Sequence, residues 1–406
     1  MQNKYVKSAA LTAGLLLVGC VNNDGSPSYQ TDTLDLTANF TDNVLLPQYR
    51  DFSTQSAALV SSLNTYCAAI GTASESAENQ QATAQWRDTM ASWQQAEAYL
   101  VGPVAANSNN IRNRINVFAD SAVINSCRID RTTLEVADDA ASVDISALSN
   151  NQRGLGGIEY LLFNNSTEFT CSGDVPAAWT ELTTDELTTA RCQQAQKIAS
   201  HITGLADDLI TAWEPEQDNY RSTFINPSVG GTQTKALSDS LFYLDANVKD
   251  SKLRLPLGIR SDSGTNCGVN ACPDAVEYGY SEASLLAVRN NLVGFKAVFT
   301  GNGGYSFDDI MIEQGHKDVA DLYVQLVDEA IALIDLPQDA LKEQATVLVN
   351  EPLGSCSNLA ASSATVTELK ACLLYGKVKS LTDELKTSFV AIVDLDIPDR
   401  VQSDND

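Results

Sequence analysis

The sequence predicts an all-α fold of two helical-bundle lobes related by a pseudo-repeat. Three observations predict it. Apolar residues recur at spacings of three and four along most of the chain, as in Trp86, Met90 and Trp93. Alternating runs of β-branched residues, the signature of strands, are nearly absent. The helical pattern breaks over residues 215–231 and restarts with Leu237, Leu241, Leu244 and Val248. A faint echo between residues 157–165 and 293–301 fits an internal repeat. The expected lobes are residues 41–220 and 221–400, with long helices packed at shallow crossing angles.

The first residues read as a targeting segment. Lys4 and Lys7 precede an apolar run over residues 9–18, too short to span a bilayer. Leu17-Val18-Gly19-Cys20 then reads as a bacterial lipobox, in which a small residue precedes a cysteine that is acylated. Residues 1–19 are the expected lipoprotein signal peptide, and Cys20 the lipidation site. The membrane is then a partner through this anchor. Val21 follows the cysteine where Asp would favour inner-membrane retention, which points by bacterial sorting rules to the outer membrane. Residues 20–40, polar and aperiodic, are expected to form the anchor and a flexible tether.

Helices are expected over residues 45–70 and 79–101, the second closed by Gly102-Pro103. Glu97 interrupts the apolar stripe of that second helix. It is either a binding carboxylate or half of an ion pair with Arg112 or Arg114. Further helices are expected over residues 108–120, 184–213, 281–299, from His316 onward, and about 365–393. His201 and His316 each stand alone, which is the usual setting of a structural histidine.

Eight cysteines remain after Cys20, and an even number in an exported chain argues for disulfides. Eight cysteines allow many connectivities; pairing of sequence neighbours is the expectation, namely Cys67–Cys127, Cys171–Cys192, Cys267–Cys272 and Cys356–Cys372. The formal charge of −26 disfavours nucleic acid and anionic lipid head groups as ligands.

The most distinctive stretch runs from Arg153 to Phe163: Arg-Gly-Leu-Gly-Gly-Ile-Glu-Tyr-Leu-Leu-Phe. Leu155, Ile158 and Leu162 form a stripe at helical spacing, and Glu159 lies beside it. A carboxylate there is costly to bury unless it is paired or binds a cation. This segment resembles the signature of the imelysin-like family of bacterial envelope proteins, Gly-x-His-x-x-Glu followed by an apolar helix ending in Leu-Leu-Phe. Gly156 stands at the histidine position and Glu159 at the glutamate. The Trp-containing helix closed by Gly102-Pro103, and the Lys249-Asp250-Ser251-Lys252 turn before Leu-Pro-Leu-Gly, also resemble the family. The resemblance implies two helical lobes with a cleft near the signature, residence in the envelope, and a link to iron or other metal acquisition.

The expected cleft gathers Glu159, Gly156, Arg153, Glu97, Arg112 and Lys249, with Glu159 the one candidate metal ligand and iron the candidate metal. Carboxylates alone suit hard cations, and the missing histidine makes this metal motif degenerate. Arg and Lys beside Glu then fit a small anionic or zwitterionic ligand. No His-Glu-x-x-His, Gly-x-Ser-x-Gly, phosphate loop or Cys-x-x-Cys-His is present. These absences turn the expectation from enzyme towards binding. Two alternatives stay open: a metal-dependent hydrolase using Glu159, and a structural or partner-binding lipoprotein.

Overall fold

The structure, a computed structural model, describes residues 30–118, 123–214, 220–226, 228, 230–259, 267, 271–362, 364, 367–393, 395 and 398. Among these, every regular element is helical. Helix α1 (Gln30–Asn39) passes through a π turn (Phe40–Leu45) into α2 (Leu46–Ala69). Then come α3 (Glu75–Ala96), α4 (Ala106–Ile115), α5 (Ser126–Asp139), α6 (Gly154–Phe163), α7 (Ala177–Glu181), α8 (Thr184–Trp213) and α9 (Tyr220–Phe224). Next are α10 (Gly230–Leu241), a π segment (Leu244–Arg254), α11 (Leu255–Leu257), α12 (Ser284–Thr300), α13 (Phe307–Glu313) and α14 (Lys317–Ile334). The chain closes with α15 (Leu341–Leu348), α16 (Ser355–Ala360), α17 (Lys370–Glu384) and α18 (Val390–Val393). Cys20 and the signal segment lie outside the described residues.

The stretch expected to be a tether is ordered from Gln30 onward. Leu36 and Phe40 are buried, and α1 packs on α10. The amide of Asn39 donates to the carbonyls of Gly301 and Tyr305, at 3.0 and 3.1 Å. Polar composition misled here, because a few apolar side chains and one side-chain amide suffice to dock a short amphipathic helix.

Helices α2, α3 and α8 pack side by side, and α5 and α6 lie against α8. The start of α8 is set by a capping box in which Thr183 and Glu186 satisfy each other's backbone N–H. In the second half, α12 packs on α14, which packs on α17. The long contact between α3 and α12 joins the two groups. It is close because of Gly294, where an added Cβ would fall within bonding-like distance of the Gln95 carbonyl oxygen.

That contact ends in a buried polar cluster. The Lys252 ammonium sits 2.6 Å from Gln94 Oε1, 2.8 Å from Asn291 Oδ1, 2.9 Å from Glu277 Oε2 and 3.2 Å from Glu97 Oε2. Asn116 Nδ2 donates to Glu97 Oε1 and Glu277 Oε1, and Asn291 Nδ2 returns a bond to the Gln94 carbonyl. Glu97 is thus an ion-paired residue, as one sequence reading allowed, but its partner is Lys252 and not Arg112 or Arg114. The lysine arrives from a segment distant in sequence, which helical spacing around Glu97 did not reveal.

Two of the four disulfides differ from the neighbour-pairing expectation. Cys67 joins Cys192, and Cys127 joins Cys171, in place of Cys67–Cys127 and Cys171–Cys192. Adjacency of α2 and α8 brings Cys67 and Cys192 to a Cα separation of 5.6 Å across 125 residues. Cys171 is drawn to α5 because the preceding Thr170 N–H donates to Asp130. Cys267–Cys272 and Cys356–Cys372 are paired as expected. No helix among the described residues is long and apolar enough to cross a membrane.

Two stability predictions follow from the α3–α12 seam. Gly294→Ala should destabilise the fold by about 1–3 kcal/mol through overpacking. Gly204→Ala, on the exposed face of α8 with open space around it, should instead stabilise by about 0.5–1 kcal/mol. Equal effects in urea unfolding would contradict the close backbone approach. Lys252→Met strands two buried carboxylates and should cost about 3–5 kcal/mol. Adding Glu97→Gln and Glu277→Gln should recover much of that loss, and no recovery would show that lost packing, not stranded charge, is the cause.

Candidate functional site

The signature helix α6 begins where it does because of Gly154. Its φ is +77°, and a Cβ there would lie 2.7 Å from the Ile115 carbonyl oxygen. Arg153, the extended residue before the helix, donates to the carbonyls of Ile145 and Ser146 and to Asn150 Oδ1, at 2.9, 2.8 and 3.0 Å. Trp86 of α3 donates its indole N–H to the Leu155 carbonyl, and Tyr160 donates its hydroxyl to Asp130. Three neighbours therefore fix the position and rotation of α6.

That rotation buries Glu159, which is 2% exposed. Its Oε1 accepts three hydrogen bonds from one loop of the second half: Tyr280 N–H at 2.9 Å, Ser281 N–H at 2.8 Å and Ser281 Oγ at 2.8 Å. The loop is shaped for this. Tyr278 and Glu282, on either side, hold φ of 55° and 60°, values that side chains seldom adopt. Arg87 of α3 donates to the Ser281 carbonyl at 2.8 Å, and Tyr280 packs edge-on against Tyr160.

Beside this latch lies a cavity of about 340 Å³. Glu159, Gly156, Ile124, Val276, Glu277 and Tyr280 line it. Asp274, exposed, and Lys342, half-exposed, also border it and stand 3.7 Å apart. Glu159 Oε2 takes no hydrogen bond among the described residues, so one oxygen is committed to the loop and the other is left for the cavity. Burial, outweighing the bonds from Ser281 and Tyr280, pushes the Glu159 carboxyl up from 4.5 to about 7. Burial also raises Glu277, against the opposing pull of the Lys252 ammonium.

The residues present do not fit a metal ion. Gly156 lies one helical turn before Glu159. An added Cβ at Gly156 would stand 2.8 Å from Ile124 Cγ2, so an apolar side chain fills that space. Among the described residues, no three or more His, Cys, Asp or Glu side chains converge as a ligand set. His201 lies apart on α8, within the field of Arg153 and Arg114, and burial lowers its pKa.

Only part of the expected cleft assembles. Glu159 and Gly156 share the cavity wall, while Glu97 is held behind Glu277 in the lysine cluster. Arg153 is spent on the loop before α6. Arg112 is buried with its guanidinium on Asn113 Oδ1, at 2.9 and 3.1 Å. Lys249 pairs with Asp245 at 3.0 Å and with Asp250, in a separate buried cluster that also holds Lys386. The cations expected beside Glu159 are thus absorbed by local backbone and side-chain partners. Sequence reading missed Glu277, Ser281, Tyr280 and Ile124. It singled out the Lys249–Lys252 turn but chose the wrong lysine: Lys252 is the one that reaches the signature neighbourhood.

Residues 45–368 match the family model for imelysin, peptidase M75. None of the curated proteins compared with this chain matches it. The fold is shared with solved structures, among them two bacterial proteins. One is an imelysin-like protein from Psychrobacter arcticus 273-4, 15% identical, with a TM-score of 0.65, covering 91% of this chain and 98% of that one. The other, described as a "putative iron-regulated protein A precursor" from Parabacteroides distasonis ATCC 8503, is 16% identical, with a TM-score of 0.57 and coverage of 89% and 96%. With a family match over most of its length and the same all-helical architecture, the chain belongs to the imelysin family.

Proposed function

We propose that this chain is an envelope-anchored binding lipoprotein whose cavity at the signature helix receives a small organic ligand, not a bare metal ion. The observation that carries the reading is the division of labour within Glu159. Its Oε1 latches the loop at residues 280–281, and the carboxyl borders a cavity whose histidine position is closed by Ile124. A volume near 340 Å³ is at the small end of ligand sites, which are typically about 300–1,000 Å³.

Anchoring rests on Leu17-Val18-Gly19-Cys20 and placement at the outer membrane on Val21. Four disulfides support an oxidising compartment outside the cytoplasm. A role in iron supply draws its support from the description of the Parabacteroides relative as iron-regulated. Under this reading such a role does not run through a metal held on the signature. The hydrolase alternative draws less support, because Glu159 Oε1 and the Ser281 hydroxyl are bonded to each other and no metal-ligand set is assembled among the described residues. The structural alternative draws on the same three bonds and describes what Oε1 does.

Ligand-observed NMR with a charge-diverse fragment set tests the cavity. Fragments should bind the full chain and fail to bind Ile124→Trp, which fills the space. Unchanged binding to the filled variant would sink the reading, as would a rise in melting temperature with Fe³⁺, Mn²⁺ or Zn²⁺ that Glu159→Gln abolishes.

Stability should also depend on pH through Glu159. The folded state keeps a proton that the unfolded chain releases near 4.5, so the destabilising contribution is absent below that pH and complete above about 7. Glu159→Gln keeps an acceptor for the loop and removes the charge. It should therefore stabilise the fold by about 1–3 kcal/mol at pH 8, with the gain fading towards pH 4. A loss of stability at pH 8 would mean that the ionised carboxylate is the favoured form.

A further inference from the structure

The charge and lining of this cavity narrow the chemistry of its ligand. Among the described lining residues three are acidic, Glu159, Glu277 and Asp274, and one is basic, Lys342. Lys342 is half in solvent and shares its charge with Asp274. Glu277 is already countered by Lys252, 2.9 Å away, within a cluster that carries two carboxylates for one ammonium. Among the described residues, no cation stands beside Glu159. The arginines and the lysine expected to receive an anion, Arg153, Arg112 and Lys249, do not line the cavity. An anionic ligand would therefore meet like charge at the cavity floor. A cation would meet the unpaired oxygen of Glu159, and apolar walls from Ile124 and Val276. The Tyr280 ring, 45% exposed, adds an aromatic face of the kind that attracts cations.

We propose that the cavity takes a small organic ammonium ion, a protonated amine on a compact apolar body. Its N–H groups meet Glu159 Oε2, and its body lies against Ile124, Val276 and Tyr280. The assignment rests on the cavity reading above and specifies its ligand class. Size adds to it: a cavity of about 340 Å³ holds one ring or a short branched chain and a charged head, not a peptide or a chelate.

Binding should move a proton. The groups that face Glu159 are Glu277, Tyr278, Tyr280 and Asp274 from the second-half loop, Lys342 from α15, and Arg87 through the Ser281 carbonyl. Near neutral pH Glu159 holds a proton for part of the time. An arriving ammonium favours the carboxylate, so that proton leaves to solvent while the amine keeps its own. Affinity should rise as pH rises through about 7.

Calorimetric titration of the full chain in detergent with benzylammonium, benzyl alcohol and benzoate tests this, at about pH 6 and pH 8. Benzylammonium should bind at least roughly tenfold tighter than either isostere at the higher pH, and several-fold more weakly at the lower. Glu159→Gln should cost benzylammonium roughly tenfold and benzyl alcohol at least several-fold less, with urea unfolding of the variant serving as the control for an intact fold. Benzoate or benzyl alcohol binding as tightly as the amine would overturn the ammonium class while leaving the cavity reading in place. Amine binding indifferent to both pH and Glu159→Gln would overturn it as well. If none of the three probes binds at about 10 mM, the ammonium assignment fails, and the fragment comparison with Ile124→Trp decides the cavity reading separately.

Discussion

The arrangement depends on one buried ammonium. Lys252 places its charge among oxygens of Gln94, Glu97, Glu277 and Asn291, drawn from α3, α12 and the loop between α11 and α12. Burying a charge is costly, and the cost is offset only where hydrogen bonds and opposite charges saturate it. Here four oxygens do so, and Asn116 supplies donors to the two carboxylates in turn. The three segments cannot separate without exposing or stranding at least one of these groups. Glu97, the second carboxylate that the sequence singled out, is explained by this counter-ion role.

The cavity is a consequence of that cluster. Glu277 belongs to both, facing Lys252 on one side and the cavity on the other. Its backbone carbonyl accepts from Ser284 at the start of α12, so the loop carrying Glu277, Tyr280 and Ser281 is tied to the seam. The same loop then reaches back to Glu159 in the first half. Residues with unfavourable backbone angles, Tyr278 and Glu282, flank the point of contact. Strain of this kind persists where surrounding bonds hold it, and three hydrogen bonds to a single carboxyl oxygen do that here. Glu159 of the signature helix thus acts as a clamp between the halves, and Ile124 beside Gly156 gives the cavity an apolar wall.

The candidate site therefore lies in a seam between packed segments. The groups that face the cavity are mainly carboxylates, tyrosine rings and apolar side chains, with Lys342 at the rim. The exposed rim pair, Asp274 and Lys342, can part or screen without disturbing the buried cluster, because neither takes part in it.

Legibility of this chain followed the range of the forces involved. Helices were readable because period and capping are local: α8 spans the residues that its stripe and its Thr183–Glu186 box dictate. Glu159 and Gly156 stood out for the same reason, since a carboxylate beside an apolar stripe and glycines at a helix start are visible within a single turn. The docking of α1 was hidden because its partners, Gly301 and Tyr305, lie more than 260 residues away. Disulfide partners were decided by helix adjacency, which set Cys67 on Cys192 and left neighbour pairing right only for the two short loops. Choice among lysines was likewise tertiary: Lys249 and Lys252 differ by less than one turn of regular helix, and the π segment that carries them sends one to Asp245 and the other to Glu97 and Glu277. By itself the sequence determined the helical class, the family resemblance and the carboxylate of the signature, because each is encoded within a few residues. Only the tertiary structure decided which charges meet, because Coulombic partners are selected by position in space and position in sequence does not reveal them.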